Sequence, residues 1–174
     1  KEMSKDIRLK KGLNINLKGE ADKVYASIPQ SDLFSLKPSD FHGLTPKLTV
    51  KPGDKVKAGS CIFFDKYNEK VRFSSPVSGE VTDVVRGAKR RILEVKLKAD
   101  TETKYESFST LDASANREQI IEGLLESGVW PFIRQKPFDI IANPMDTPKA
   151  IFISTFNTAP LAPDNDFVLH GLDK

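Results

Sequence analysis

Six residues have types and spacing suited to holding a flat ring. Trp130, Phe132 and Phe138 recur within one short stretch, with Arg134 among them. That set suits a planar, apolar ligand flanked by a hydrogen-bond donor. Phe41 and His42, in DFHGLTPK, add another ring and an imidazole able to donate or accept. Aromatics in a proline-rich loop equally anchor that loop to a core, and a single histidine is commonly a capped or surface residue. Both readings stay open. A second cluster, Arg86, Lys89, Arg90 and Arg91 in RGAKRR, is the densest basic patch. It reads as a solvated hairpin, or as a docking point for an acidic partner subunit or lipid headgroups. The chain contains no Cys-x-x-Cys, His-x-x-x-His, Walker loop or G-x-G-x-x-G. His42 and His170 are the only histidines, too few for a defensible triad, and no metal site is expected. Catalysis by this chain alone is not expected.

These residues sit in two regions with different patterns. From Asp6 to about Phe108, short alternating segments are broken by Gly, Pro and Asp, which predicts β structure. Expected strands are Asp6–Leu9, Val24–Ile28, Leu48–Val50, Cys61–Phe64, Lys70–Phe73, Gly79–Val85 and Ile92–Lys98. In the last, Leu93, Val95 and Leu97 form the consistently apolar face. RGAKR is expected at a hairpin tip, with Gly87 taking a positive φ. From Asn116 the pattern turns helical. Asn116 as N-cap with Gln119 three residues on predicts a capping box. Ile120, Ile121, Leu124 and Leu125 share a face, and Gly128 stands where a C-terminal cap belongs. WPFIRQKPFDIIANPMDTP predicts a packed irregular segment, and KAIFISTF predicts a strand buried on both faces of a parallel sheet. With no second βα unit after it, the chain reads as the front part of a longer protein.

Composition narrows the function classes. The 174 residues carry 27 basic and 24 acidic side chains, a dispersed +3 that gives no argument for nucleic acid. The single cysteine, Cys61, excludes an internal disulfide and is expected to be a buried thiol. No apolar run approaches the roughly 20 residues needed to span a bilayer. The N-terminal KEMSKDIRLKKGL lacks the apolar core of a signal peptide.

The motif VKPGDKVKAG predicts a tight reversal. Pro52 fixes φ, Gly53 supplies an unusual conformation, Asp54 bonds backbone amides, and Val50 and Val56 point inward. SPVSGEV repeats the device around Pro76 and Gly79. Together these resemble the barrel-sandwich fold of biotinyl and lipoyl carrier domains, over roughly residues 48–97. Carriers hold their modified lysine at a hairpin tip in Met-Lys-Met or Asp-Lys-Ala. Here that position falls on Asn68 or Glu69, and Lys66 and Lys70, in DKYNEKV, match neither signature. The scaffold is therefore expected without the cargo. A carrier with a covalent group on Lys66 or Lys70 remains the alternative.

LKKGLNINLKGEA, the barrel motif, LLESGVWPFIRQKPFDIIANP and AIFISTFNTAPLAPD occur in one order. That order is similar to the N-terminal part of the A subunits of sodium-translocating NADH:quinone oxidoreductases (Nqr). The C subunits of Rnf electron-transport complexes are less similar, because their Gly-Gly-x-His-Pro opening is absent. The resemblance implies a mixed α+β fold. A barrel-sandwich β module falls within 1–108, core about 48–98, and residues 109–174 open a Rossmann-like α/β domain similar to the flavin-binding subunit of complex I. It implies a peripheral subunit on the cytoplasmic side of the bacterial inner membrane, without a transmembrane segment. Its partners would be the other subunits of a translocase that passes electrons from NADH to ubiquinone or menaquinone and exports sodium. The complex would use flavins and iron–sulfur centres. The flavin-binding relatives carry a loop resembling G-x-G-G-A-G-F-P. In SGVWPFIRQKPF only Gly128 remains, and Trp130, Pro131 and Phe132 replace the permissive residues. This chain is therefore expected to bind no cofactor itself, while Phe41, His42, Trp130, Phe132, Arg134 and Phe138 become candidate quinone contacts. A flavin-dependent dehydrogenase fragment is the further alternative.

Overall fold

The two proline–glycine reversals organise the barrel. In the computed structural model the Asp54 carboxylate accepts from the Lys51 amide at 2.9 Å, and Gly53 takes φ +92°. The turn is then joined to the strand after the second reversal: Gly53 N–H donates to the Val81 carbonyl at 2.8 Å and Val81 N–H to Asp54 at 2.9 Å. At the second reversal Ser75 bonds its own turn, its hydroxyl donating to the Val77 carbonyl at 2.6 Å. Ser78, almost fully buried, accepts from Lys104 N–H at 2.9 Å and donates to the Glu102 carbonyl at 3.2 Å. A Cβ on Gly79 would lie 1.9 Å from the Lys98 carbonyl oxygen, so only glycine lets these backbones approach.

The structure describes residues 12, 17–18, 22–29, 31–112, 114–154, 159 and 162–170. The chain divides into two compact units, residues 29–147 and residues 1–28 with 148–174. In the first, β1 (Leu33–Leu36), β7 (Ile92–Ala99), β6 (Gly79–Arg86) and β3 (Lys55–Val56) form an antiparallel sheet in that order. A second sheet runs β2 (Pro46–Leu48), β4 (Cys61–Asp65), β5 (Asn68–Ser74). One sheet contributes Val56, Val81, Val95 and Leu97 to the shared core, the other Ile62, Phe63, Val71 and Phe73. This is the barrel-sandwich expected of the motif. Helix α1 (Arg117–Glu126) packs on β5 and adds Leu125. A 3-10 turn (Trp130–Phe132) and a small hairpin, β8 (Arg134–Gln135) and β9 (Ile140–Ile141), follow.

Local chemistry explains where these elements start and stop. α1 has the full capping box between Asn116 and Gln119, both bonds at 2.9 Å. It ends in a Schellman arrangement: Gly128, φ +74°, donates to the Leu125 carbonyl and Val129 N–H to Leu124. Of the expected helix face, Leu125 is buried, Ile121 and Leu124 are half-buried, and Ile120 lies in solvent. Cys61 is half-buried rather than buried.

Several expectations are corrected. A bulge between Cys61 and Phe63 brings the successive residues Ile62 and Phe63 both inward. A register shift between Val85 and Arg86 leaves Leu93 exposed, while Ile92 packs against the core. The positive φ at the β6–β7 tip belongs to Lys89 (53°) and Arg90 (60°), not to Gly87, which is at −99°. β2 runs Pro46–Leu48 rather than Leu48–Val50, because Pro46 to Leu48 pair with Asp65 to Phe63 before the reversal begins. β1 and β3 were not foreseen. The strand expected at Asp6–Leu9 lies outside the described residues.

In the second unit Val24–Ile28 forms no strand, since no neighbour among the described residues supplies a ladder. Tyr25 instead stacks on Phe167 at 4.9 Å, and its hydroxyl donates to the Phe167 carbonyl at 2.9 Å. Phe167 belongs to α2 (Asn165–Leu169), capped by the Asp164 side chain, to which Lys23 is paired. The run expected as a doubly buried strand is also corrected. Ile151, Phe152 and Ile153 are 78%, 91% and 78% exposed and unpaired. A strand buried on both faces needs a paired neighbour and a layer packed on each face, and the described residues provide neither.

Candidate functional site

Phe41 is the hub of an aromatic and cationic surface. It follows the 3-10 turn Pro38–Asp40, which fixes the chain entering the loop to β2. Its ring meets Phe73 edge-on at 4.6 Å and Phe132 at 6.1 Å, and the Arg134 guanidinium lies over it at 5.3 Å. Phe73 is buried between the sheets while Phe132 is 72% exposed. The cluster thus runs from core to solvent. The β8–β9 hairpin supplies the charges: Lys136 pairs with Asp139 at 2.7 Å, and Arg134 donates to the Asp139 carbonyl at 3.3 Å. The Lys136 hydrogen bond, followed by its charge and the charges of Arg134 and His42, holds the Asp139 carboxyl below its ordinary range.

On the other side of Phe41, a cavity of about 140 Å³ is lined by Pro38, Ser39, His42, Leu44, Arg91 and Ile92 among others. It joins two groups that the sequence kept apart, the Phe41–His42 loop and the basic hairpin. Arg86, Lys89, Arg90 and Arg91 are all exposed at that hairpin. Not every candidate belongs to this surface. Trp130 is 7% exposed, packs in the core, and donates its indole N–H to the Ala142 carbonyl at 2.7 Å. Phe138 is exposed in the β8–β9 turn and makes no ring contact among the described residues. Sequence reasoning missed Lys136 and Asp139, whose only signal was opposite charge across the turn KPFD. It also missed Ser74, whose hydroxyl closes one side of Gly128.

Four of the five backbone donors in the Gly128–Ile133 turn are engaged, the Trp130 amide being the exception among the described residues. The amides of Gly128, Val129, Phe132 and Ile133 donate to the carbonyls of Leu125, Leu124, Val129 and Trp130, at 2.9 to 3.3 Å. Pro131 has no N–H. A Cβ at Gly128 would fall 2.2 Å from Ser74 Oγ, so the glycine's open face is filled. The turn also lies at the C-terminal, partially negative end of α1.

The β4–β5 hairpin, where carriers hold their lysine, turns at Lys66–Tyr67, closed by the pair Asp65 and Asn68. This corrects the expected position. Asn68 and Glu69 lie within β5, and Lys66 occupies the tip, its ammonium 5.8 Å from the Tyr67 ring.

Residues 7–100 match the family model of the NqrA N-terminal barrel-sandwich hybrid domain. The chain belongs to the NqrA family. Residues 115–174 match the NqrA second alpha/beta domain, so the two domains follow in family order. Relatives named as the A subunit of Na(+)-translocating NADH-quinone reductase include that of Marinomonas sp., 32% identical over 165 residues, covering 93% of this chain and 37% of the relative. That of Pseudomonas aeruginosa is 33% identical over 171 residues, covering 94% and 37%. That of Teredinibacter turnerae is 35% identical over 169 residues, covering 94% and 38%. The chain therefore spans a little over a third of these relatives. Among the described residues no helix is long and apolar enough to cross a membrane.

Proposed function

We propose that this chain serves as part of the A subunit of a sodium-pumping NADH:quinone oxidoreductase, peripheral to the cytoplasmic side of a bacterial inner membrane and active only with its partner subunits. The observation that carries this is the succession of both NqrA domains along residues 7–174. The enzyme as a whole would pass electrons from NADH to ubiquinone or menaquinone and export sodium, with flavins and iron–sulfur centres on other subunits. This chain would hold none of them. The engaged amides of Gly128, Val129, Phe132 and Ile133 and the Ser74 hydroxyl against Gly128 support that reading, because a flavin phosphate is held by several free backbone donors together and this turn leaves only the Trp130 amide. Bulk at Trp130 is a lesser factor than the engagement of these four amides.

Within the complex, Phe41, Phe132 and Arg134 would contact quinone, with His42 at the edge of the same surface. An exposed ring and a guanidinium offer stacking and a donor to a quinone oxygen. Trp130 would support this surface from the core rather than touch the ligand. In the purified complex, Phe132→Ala with Arg134→Ala should raise the KM for quinone while leaving that for NADH unchanged. Equal quinone KM values would remove this surface from the quinone path. The second reading, a carrier, is favoured by one observation, Lys66 at the hairpin tip. Intact mass of the full-length protein from its native host tests it, since biotinyl or lipoyl groups add a fixed mass.

A further inference from the structure

We infer that the β6–β7 hairpin tip is a docking element for an anionic phospholipid surface, with one headgroup seated in the cavity beside Arg91. Arg86, Lys89, Arg90 and Arg91 fall within six successive positions, all exposed, and none makes an ion pair among the described residues. The chain's excess charge is only +3, so this field is local to the tip.

The backbone at the tip gives independent support. Lys89 sits at φ 53°, ψ 29° and Arg90 at φ 60°, two consecutive left-handed residues. A reversal of that kind is met at least cost by Asn-Gly, and long side chains there are disfavoured. The conformation is nonetheless held: Gly87 N–H donates to the Arg91 carbonyl at 2.8 Å, and the Arg86 guanidinium to the Arg90 carbonyl at 3.3 Å. A strained turn that carries two cations where neutral residues would serve the fold better points to a role for the charges. Leu93, exposed beside Gly87, adds an apolar shoulder. The cavity lined by Arg91, Ser39, His42, Leu44 and Ile92, about 140 Å³, offers a cation, a hydroxyl and an imidazole to a phosphate-bearing headgroup. A convex tip of long cations suits a lipid surface, whose negative charge is spread out and needs no matching side-chain register.

The test uses the full-length protein without its partner subunits, sedimented with vesicles of equimolar phosphatidylglycerol and phosphatidylcholine or of phosphatidylcholine alone. Binding is expected to the anionic vesicles only, and should weaken as salt rises. Each cation should be worth about fivefold, so replacing Lys89, Arg90 and Arg91 by Ser should weaken binding about a hundredfold. A second variant separates charge from folding. Lys89→Asn with Arg90→Gly gives the turn its preferred residues, so Tm should rise while vesicle binding falls about 25-fold. Equal binding to both vesicle types, or unchanged binding in both variants, would overturn the inference. Displacement by millimolar inorganic phosphate would instead identify a free-phosphate site. Absence of vesicle binding, with complex assembly lost in the hairpin variants, would identify an acidic protein partner, and either result overturns the membrane assignment.

Discussion

Phe63 in the barrel and Phe132 in the turn after α1 are the same residue type put to opposite uses. Phe63 is 1% exposed, stacked on Phe73 at 4.8 Å, with both sheets closed over it. Phe132 lies mostly in water, touching Phe41 by an edge. Trp130, two positions before Phe132 in the same turn, belongs to the core. The difference separates residues that hold the fold from residues that the fold displays. In the segment 130–141 the change occurs between Pro131, fully buried, and Phe132. Nothing in the core requires a large apolar ring at 132, and that is the physical reason to look for its use elsewhere.

The contrast can be broken by measurement. Phe63→Ala should cost about 3–5 kcal/mol in urea denaturation, by lost burial and the cavity left behind. A loss as small as a surface substitution would mean the barrel core is not closed around it. Trp130→Phe leaves the Ala142 carbonyl without its indole donor and a small cavity where the bicyclic ring was, so the same experiment should register about 2 kcal/mol. Phe132→Ala should change stability by no more than about 0.5 kcal/mol. A larger loss would return this ring to the core and weaken the case for a ligand surface. The smallest effect concerns pH. The Ser60 hydroxyl, then Lys57, hold the Glu106 carboxyl below its ordinary 4.5. A depressed carboxylate contributes stability above its unfolded pKa, and that contribution is lost as pH falls through and below that range. Glu106→Gln should therefore flatten the fall in urea midpoint between about pH 7 and about pH 3; an unchanged slope would assign the acid sensitivity to other carboxylates.

The same contrast explains what was legible in the sequence. The barrel could be read because its turns announce themselves: Pro52, Gly53 and Asp54 leave the chain one economical way to reverse. α1 could be read from Asn116, Gln119 and Gly128, whose cap bonds are made within the local chain. Where a non-local partner decides, the reading failed. β3 has two residues and exists only because Lys55 and Val56 pair with Glu80 and Gly79. Ile62 and Phe63 both turn inward through a bulge that no alternation rule contains. The left-handed pair at Lys89–Arg90 was hidden because Gly87, three residues from Arg90, is the residue type that should take such a conformation. At the candidate site the residue types were visible, but their grouping was not. Arg134 over Phe41 is a contact across more than ninety positions, and Trp130's separation from the surface follows from Ala142 accepting its N–H.

The uncovered run Ile151–Phe152–Ile153 has a consequence for how this chain behaves in company with its own copies. Short stretches of β-branched and aromatic residues without charge are the units from which cross-β stacks nucleate. Pro148 and Lys149 precede it with only Ala150 between, the residue types that act as gatekeepers against such stacking, one by denying a ladder hydrogen bond and the other by charge repulsion. They flank the run without covering it, so the solubility of this segment depends on what covers its three apolar side chains.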